Sequence, residues 1–270
     1  MKKIVILTSL LLLAFVSFGQ AAETLMLKAK YDGSQIKLRW VPLDKELNYT
    51  YKLFRTDLRT PEKSEQLAVL AMPDYQQAKK QVSEENAFVL KILYPFETAK
   101  DRAELNASLG QSDNRINMIL YLSTIHPSIA EMIGQSYIDK TVEAGSSYLY
   151  RVEAYRGDAQ ITTAQTITRT KNKAVLPMAW GMTAHQFPWG VGLKWQGYEA
   201  YQGFHIYRAE AYGGPYVQIN KSPVQIQPAV NEDGTVDVAP YFYSDTSIAK
   251  DKTYFYQVRG IDLFGDLGPV

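Results

Sequence analysis

The stretch YIDKTVEAGSSYLYRVEAY, Tyr137 to Tyr155, returns near the end of the chain as YSDTSIAKDKTYFYQVRGID, Tyr243 to Asp262. At an offset of 106 residues, Tyr137 meets Tyr243, Asp139 meets Asp245, Val142 meets Ile248, Tyr148 meets Tyr254, Tyr150 meets Tyr256 and Val152 meets Val258, without a gap. In each copy an extended segment passes a polar corner, Glu143 to Ser147 or Lys250 to Thr253, and enters a run in which Tyr, Tyr and Val alternate with polar residues. Alternation at period two is the mark of a strand with one buried face. A repeat of this kind within 270 residues predicts two cores of the same design.

Working outward, each copy is preceded by matching strands. Ile36, Leu38 and Trp40 alternate with Lys37 and Arg39, and Val191, Leu193 and Trp195 repeat the pattern. YKLFR, Tyr51 to Arg55, is matched by FHIYR, Phe204 to Arg208. The two tryptophans are expected in equivalent places, each packed against the tyrosines of the repeated strand. Thr24 to Tyr31 reads as a first strand before the turn Asp32-Gly33-Ser34, and Thr162 to Arg169 closes the first unit. Trp40 and Tyr148 are 108 positions apart, whereas Trp195 and Tyr254 are only 59 apart. The first unit therefore carries an insertion, and residues 66–134 have helical composition. Asp74 reads as a helix cap, Thr98 to Asp101 as the opening of a second helix that ends near Gly110, Ser112 as the cap of a third, and Pro127 and Gly134 as the two ends of a fourth. Leu90, Leu93, Ile116, Ile119 and Leu120 are expected to pack this segment onto the sandwich. A smaller insertion, Ser222 to Tyr241, reads as a hairpin turning at Asn231-Glu232-Asp233-Gly234.

Lys2 and Lys3, the apolar run Ile4 to Phe18 and the small-residue pattern before Ala22 form an export signal with cleavage after Ala21. The run is short for a membrane span and is broken by Thr8, Ser9 and Ser17. With no cysteine in the chain, the exported protein relies on its cores alone. Loss of Lys2 and Lys3 leaves 27 basic residues against 28 acidic ones, a balance with no net pull toward nucleic acid or an anionic membrane.

No catalytic, cofactor or metal constellation is signalled. His126, His185 and His205 lie far apart and form no ligand motif, and no glycine-rich phosphate loop is present. His205, between Phe204 and Ile206, reads as a solvent-facing strand residue. Arg156-Gly157-Asp158 has the form of an adhesive triplet, but Gly-Asp between two closely spaced strands is ordinary hairpin chemistry. Trp180, Trp189, Tyr198, Tyr201, Tyr212 and Tyr216 fall in or near loops of the second unit, where most are expected to plug the sandwich ends; the alternative is that they stack on a sugar or a protein partner.

On Trp40 and Trp195, YKLFR and FHIYR, and the repeated Tyr-x-Tyr-x-Val strands, the chain resembles tandem fibronectin type III domains. The resemblance implies two immunoglobulin-like β-sandwiches, residues 22–171 and 174–270, after a signal peptide at 1–21. Tyr148 and Tyr254 sit where such sandwiches place a tyrosine corner, its hydroxyl bonded to backbone upstream. The helical insertion departs from the family pattern. So does the stop soon after the repeated strand in the second unit, which is expected to lack its last strand. The implied function is non-catalytic binding, adhesion or spacing outside the cytoplasm, at the cell surface, in the medium or in the periplasm. Its partner would be a protein or glycan of the envelope, with no cofactor, no nucleic acid and no membrane span after removal of the signal. The alternative is an accessory, carbohydrate-associated segment of a larger secreted polysaccharide-degrading enzyme.

Overall fold

The structure is a computed structural model that describes residues 24–44, 46–110, 112–225, 229–230, 236–237 and 240–270. The signal segment and the turn at 231–234 lie outside them. Strands β1 (Leu25–Tyr31), β2 (Ile36–Pro42), β3 (Thr50–Asp57) and β4 (Ser64–Ala71) come first. Helices α1 (Tyr75–Gln81), α2 (Phe88–Leu93), α3 (Pro95–Thr98), α4 (Arg102–Leu109), α5 (Ser112–Ile125) and α6 (Pro127–Met132) follow. Strands β5 (Ser136–Asp139), β6 (Ser147–Arg156) and β7 (Ala159–Arg169) complete the first unit. The second consists of β8 (Trp180–Phe187), β9 (Gly190–Gln196), β10 (Tyr201–Ala209), β11 (Val217–Gln218), β12 (Ala229–Val230), β13 (Val236–Asp237), β14 (Tyr241–Asp245) and β15 (Phe255–Asp262).

In the first unit the sheet β1-β2-β5 faces the sheet β4-β3-β6-β7; in the second, β14-β9-β8 faces β11-β10-β15. Among the described residues all strand pairings are antiparallel. The chain is thus mostly β, with two immunoglobulin-like sandwiches in tandem. Trp40 and Trp195 are both fully buried, in equivalent cores. Their ring partners come from other strands than expected: Tyr51 lies 5.7 Å from Trp40, and Phe204 and Tyr241 lie 5.7 and 5.8 Å from Trp195. Tyr148 and Tyr150 share the core of Trp40, and Tyr256 packs against that of Trp195.

The repeated strand carries a repeated polar lock. The Tyr148 hydroxyl accepts from the backbone N–H of Glu143, and that of Tyr254 from Ala249, both at 2.9 Å and both five residues upstream. Asp139 Oδ2 accepts from Arg55 and from the Tyr150 hydroxyl, each at 2.8 Å, while its Oδ1 accepts from the backbone N–H and hydroxyl of Thr141. Asp245 repeats the set with Arg208, Tyr256 and Ser247. Each arginine also lies over the corner ring, 5.4 Å from Tyr148 and 4.8 Å from Tyr254. Burial alone would raise both carboxyls, but the bonds they accept hold them below the usual carboxylate range.

The helices begin at Tyr75 rather than at 66. Residues 66–71 belong to β4, because Leu67, Ala68 and Leu70 alternate onto the first core and pair with β3. Asp74 caps α1 through the Gln77 N–H, and Asp101 caps α4 through Glu104, three residues beyond the opening expected at Thr98. Leu90, Ile119, Leu122, Ile125 and Ile129 form a separate core, with Leu93, Ile116 and Leu120 packed against it. The helices therefore pack chiefly on one another. They join the sandwich through Leu47 and Met72, and through Arg39.

The outward face of β1 and β2, polar in sequence, is covered. Arg39 is 2% exposed and donates from Nη2 to the carbonyl of Ser123 in the last turn of α5, where the helix dipole favours a cation. Burial pushes its pKa down to about 10. Lys30 and Lys37, directly opposite each other on the same face, bind the turn after β15: Lys30 Nζ reaches Asp262 and Asp266 at 2.5 and 2.8 Å, and Lys37 reaches Asp266 at 2.5 Å. Gly265, at φ +81°, sits so close to Pro127 of α6 that a Cβ there would lie 2.4 Å from the proline ring.

The lock sets an acid limit. The carboxyl pKa values are lower in the folded state than in the unfolded one, so the lock contributes fully above the unfolded value of about 4 and is lost as pH falls through the folded values. Asp139→Asn and Asp245→Asn, which remove the carboxylate charge that Arg55 and Arg208 bond while Arg55 keeps Glu65, are expected to cost about 1.5 to 3 kcal/mol each. Urea unfolding at pH 7 and pH 3 checks this: the variants should lose stability at pH 7 and show a weaker fall between the two pH values than the parent chain.

Candidate functional site

Among the described residues no group of three or more His, Asp or Glu side chains is placed to hold a metal ion. The histidines are nonetheless not scattered. His205 is half-buried on β10, not solvent-facing, because the helical segment meets the second sandwich there. Its Nδ1 is buried without a hydrogen-bond partner, and burial, then the nearby His126, lowers its pKa. Arg156-Gly157-Asp158 makes the tight turn between β6 and β7. Arg156 is drawn back onto Glu46 at 3.0 Å and over the Tyr49 ring at 5.6 Å.

Of the six aromatics singled out in the second unit, Tyr201 plugs an end of the sandwich, its ring against Gly260 and its hydroxyl on the carbonyl of Pro177. Tyr216 is half-buried. The other four are exposed, contrary to the expectation that most would plug the ends: Trp180 and Trp189 at 54% each, Tyr198 at 46% and Tyr212 at 89%. Two of these rings belong to a set built by strand register, which sequence inspection missed.

Directly opposed residues of antiparallel strands share a face. Trp195 and Leu193 point into the core, so Gln196, Lys194, Gly192 and Gly190 of β9 point outward. Opposite them on β8 stand Trp180, Thr183, His185 and Phe187, and on the other flank Phe242 and Ser244 of β14. His185 meets Phe187 edge-on at 4.9 Å, and Trp189, from the β8–β9 turn, stacks on Phe187 at 4.9 Å with 4° between the planes. A Cβ on Gly192 would lie 2.7 Å from the Phe187 ring and 3.2 Å from Phe242, so the absent side chain lets both rings settle on the sheet. The result is an aromatic row, Trp180, His185, Phe187, Trp189 and Phe242, interleaved with Thr183, Gln196 and Ser244, with Lys194 as its one full charge.

The inner side of β8 differs from that of β1. Leu25 and Leu27 are buried and β1 packs against β7, whereas Ala184 and Gln186 border an open cleft of about 830 Å³ that runs to Tyr254 and Tyr256. In the first sandwich β7 takes this flank. In the second, among the described residues, the outer edge of β15 meets Leu267 in an isolated bridge to Ile261, and Gly268 donates to the Gly260 carbonyl.

No protein-family model and no curated protein sequence matches the chain. Among solved structures it is similar to the FN1–FN3 domains of chicken CNTN1, at 10% identity over 90% of this chain with a TM-score of 0.33; it spans 62% of that chain. It is also similar to a two-domain fibronectin type III segment of chicken tenascin, at 11% identity over 92% of this chain and 94% of that one, with a TM-score of 0.27. The fold itself, tandem sandwiches of the fibronectin type III kind, is defined by the strand order and register above.

Gly192→Val is expected to lift Phe187 and Phe242 off the sheet and separate Phe187 from Trp189. The tryptophan emission should shift while the far-ultraviolet circular dichroism stays that of a β-sandwich protein. An unchanged emission spectrum would mean that the rings do not depend on this glycine.

Proposed function

We propose that the chain is a non-catalytic, extracytoplasmic binding and spacing protein whose contact surface is the outward face of β8, β9 and β14. The observation that carries this reading is a difference between equivalent faces. On the first sandwich that face is covered by α5 and by the turn after β15, through Arg39, Lys30 and Lys37. On the second it bears exposed rings at Trp180, Trp189 and Phe242. Clustered exposed apolar surface marks an interaction site, and aromatic residues are the usual anchors of one. The buried ion cluster at the junction supports the spacing role, since it holds the second sandwich at a set angle to the first.

The pattern of an export signal at 1–21 supports a location outside the cytoplasm. No helix among the described residues is long and apolar enough to cross a membrane. The reading as an accessory segment of a secreted enzyme shares this face and differs in context alone.

Two measurements test the proposal. N-terminal sequencing of the exported chain is expected to begin at Ala22. Sedimentation with an envelope fraction from the producing cells is expected to retain the parent chain and to release a Trp180→Ala/Trp189→Ala variant about tenfold more readily. Equal retention of the two would reject the face as the contact surface.

A further inference from the structure

The dimensions and chemistry of the aromatic row narrow its ligand. β8 spans eight residues and the sheet three strands, which gives a strip roughly 25 Å long and 10 Å wide, about 250 Å². A stable protein–protein contact buries about 800 Å² on each partner. The strip is long and narrow, which suits a linear chain better than a globular surface. Its charge is low: Lys194 is the one ionised side chain among the outward residues of the three strands, and at the far end Lys250, Asp251 and Lys252, of mixed sign, share a cleft with Phe187 and Trp189. An acidic peptide, nucleic acid or anionic lipid would find little to hold, because such ligands are gripped by clusters of Lys and Arg.

What the strip offers is an alternation of ring and hydrogen-bonding group. Trp180 stands beside Gln196; Thr183, Lys194 and Phe242 form the next row; His185 and Ser244 flank Gly192; Phe187 and Trp189 close the far end. A pyranose presents the same alternation, with apolar C–H faces that lie on aromatic rings and hydroxyls at its rim that bond amides and hydroxyls. Gly192 keeps the middle of the strip low, so that Phe187 and Phe242 lie close to the backbone on either side of it. Phe187 is braced by His185 and Trp189, which limits the ordering cost on binding.

We infer that the outward face of β8, β9 and β14 binds a linear, uncharged polysaccharide, with Trp180 and Trp189 at the two ends of the bound segment. This rests on the reading of that face as the contact surface. The test is calorimetric titration of the full chain with cellohexaose, xylohexaose, mannohexaose and chitohexaose, and with hexagalacturonate as the charged control. At least one neutral hexasaccharide is expected to bind, with an affinity unchanged between 50 and 500 mM salt, roughly a threefold change in Debye length. Trp180→Ala and Trp189→Ala should each lower it about tenfold, and the far-ultraviolet spectrum and melting temperature of each variant should match the parent.

Failure of all four neutral sugars overturns the inference, as does a preference for hexagalacturonate that salt abolishes, or binding that both variants retain. If the sugars fail while envelope retention is still lost in the double tryptophan variant, the face is a binding surface for another ligand, and only the sugar assignment falls. If retention is also unaffected, both readings fall.

Discussion

The tandem depends on a buried ion pair that occurs twice, Asp139 with Arg55 and Asp245 with Arg208. Each carboxylate stands at the end of one sheet and each arginine on the other, so the pair ties the two layers of a sandwich at one edge. An isolated charge at that depth would be costly, but each carboxylate also accepts a tyrosine hydroxyl and two bonds from the Thr or Ser two residues on. The tyrosine of the corner then covers the guanidinium. The six-pair repeat is the sequence trace of this lock: four of its positions, Asp139 and Tyr148 with Asp245 and Tyr254, and two more, Tyr150 and Tyr256, supply the groups. A strand with two tyrosines is not needed for burial alone, since leucine would serve. It is needed because both hydroxyls have fixed partners.

The junction uses the same chemistry across the two units. Lys30 is 8% exposed, and burial alone would lower its pKa; Asp262 and Asp266 beside it raise it instead. Asp262 Oδ1 also accepts from the backbone N–H groups of Phe264 and Asp266, which fixes the turn that carries both acids. Breaking such a cluster from one side leaves a buried charge without a partner, so the two sandwiches are held by more than a linker. Arg39 does the equivalent task for the helices, with a helix C-terminus in place of a carboxylate.

How far this was legible in sequence differs by level. The strands, the position of both tryptophans and the tyrosine corner follow from alternation and repeat, because they depend on residues close in sequence or related by the internal offset. The lock was half legible: its acids, tyrosines and arginines were all in aligned pairs, but nothing in a linear reading says that Arg55 reaches Asp139 or that Thr141 and Ser247 join them. The outward face of β2 was misread. Lys37 and Arg39 look like a wet face, and they are wet in any isolated sheet; here tertiary contacts from α5 and from the turn after β15 cover them. His205 was misplaced for the same reason. The aromatic strip was missed because its parts come from three strands and a turn, and register, not spacing along the chain, sets them side by side. Trp180 and Trp189 were visible as aromatics near loops, and Gly192, a glycine inside a strand three residues from Trp189 and from Trp195, was the further signal.

The internal repeat also supplies a comparison that a single sandwich lacks. Both units place the same face of the same three-stranded sheet outward, and the chain treats the two faces in opposite ways. On the first, the outward residues of β1 and β2 include the exposed Lys28 and the long cations Lys30, Lys37 and Arg39, which reach acids and a helix end while their stems cover apolar surface. On the second, the equivalent strands carry rings that pack on one another, a threonine, a glutamine and two glycines, with Lys194 as the one cation. A surface that needed only solubility would carry charges at those places, since exposed rings favour association. The β8–β9–β14 face is shaped for contact, and its narrow, flat, almost uncharged outline limits what that contact is.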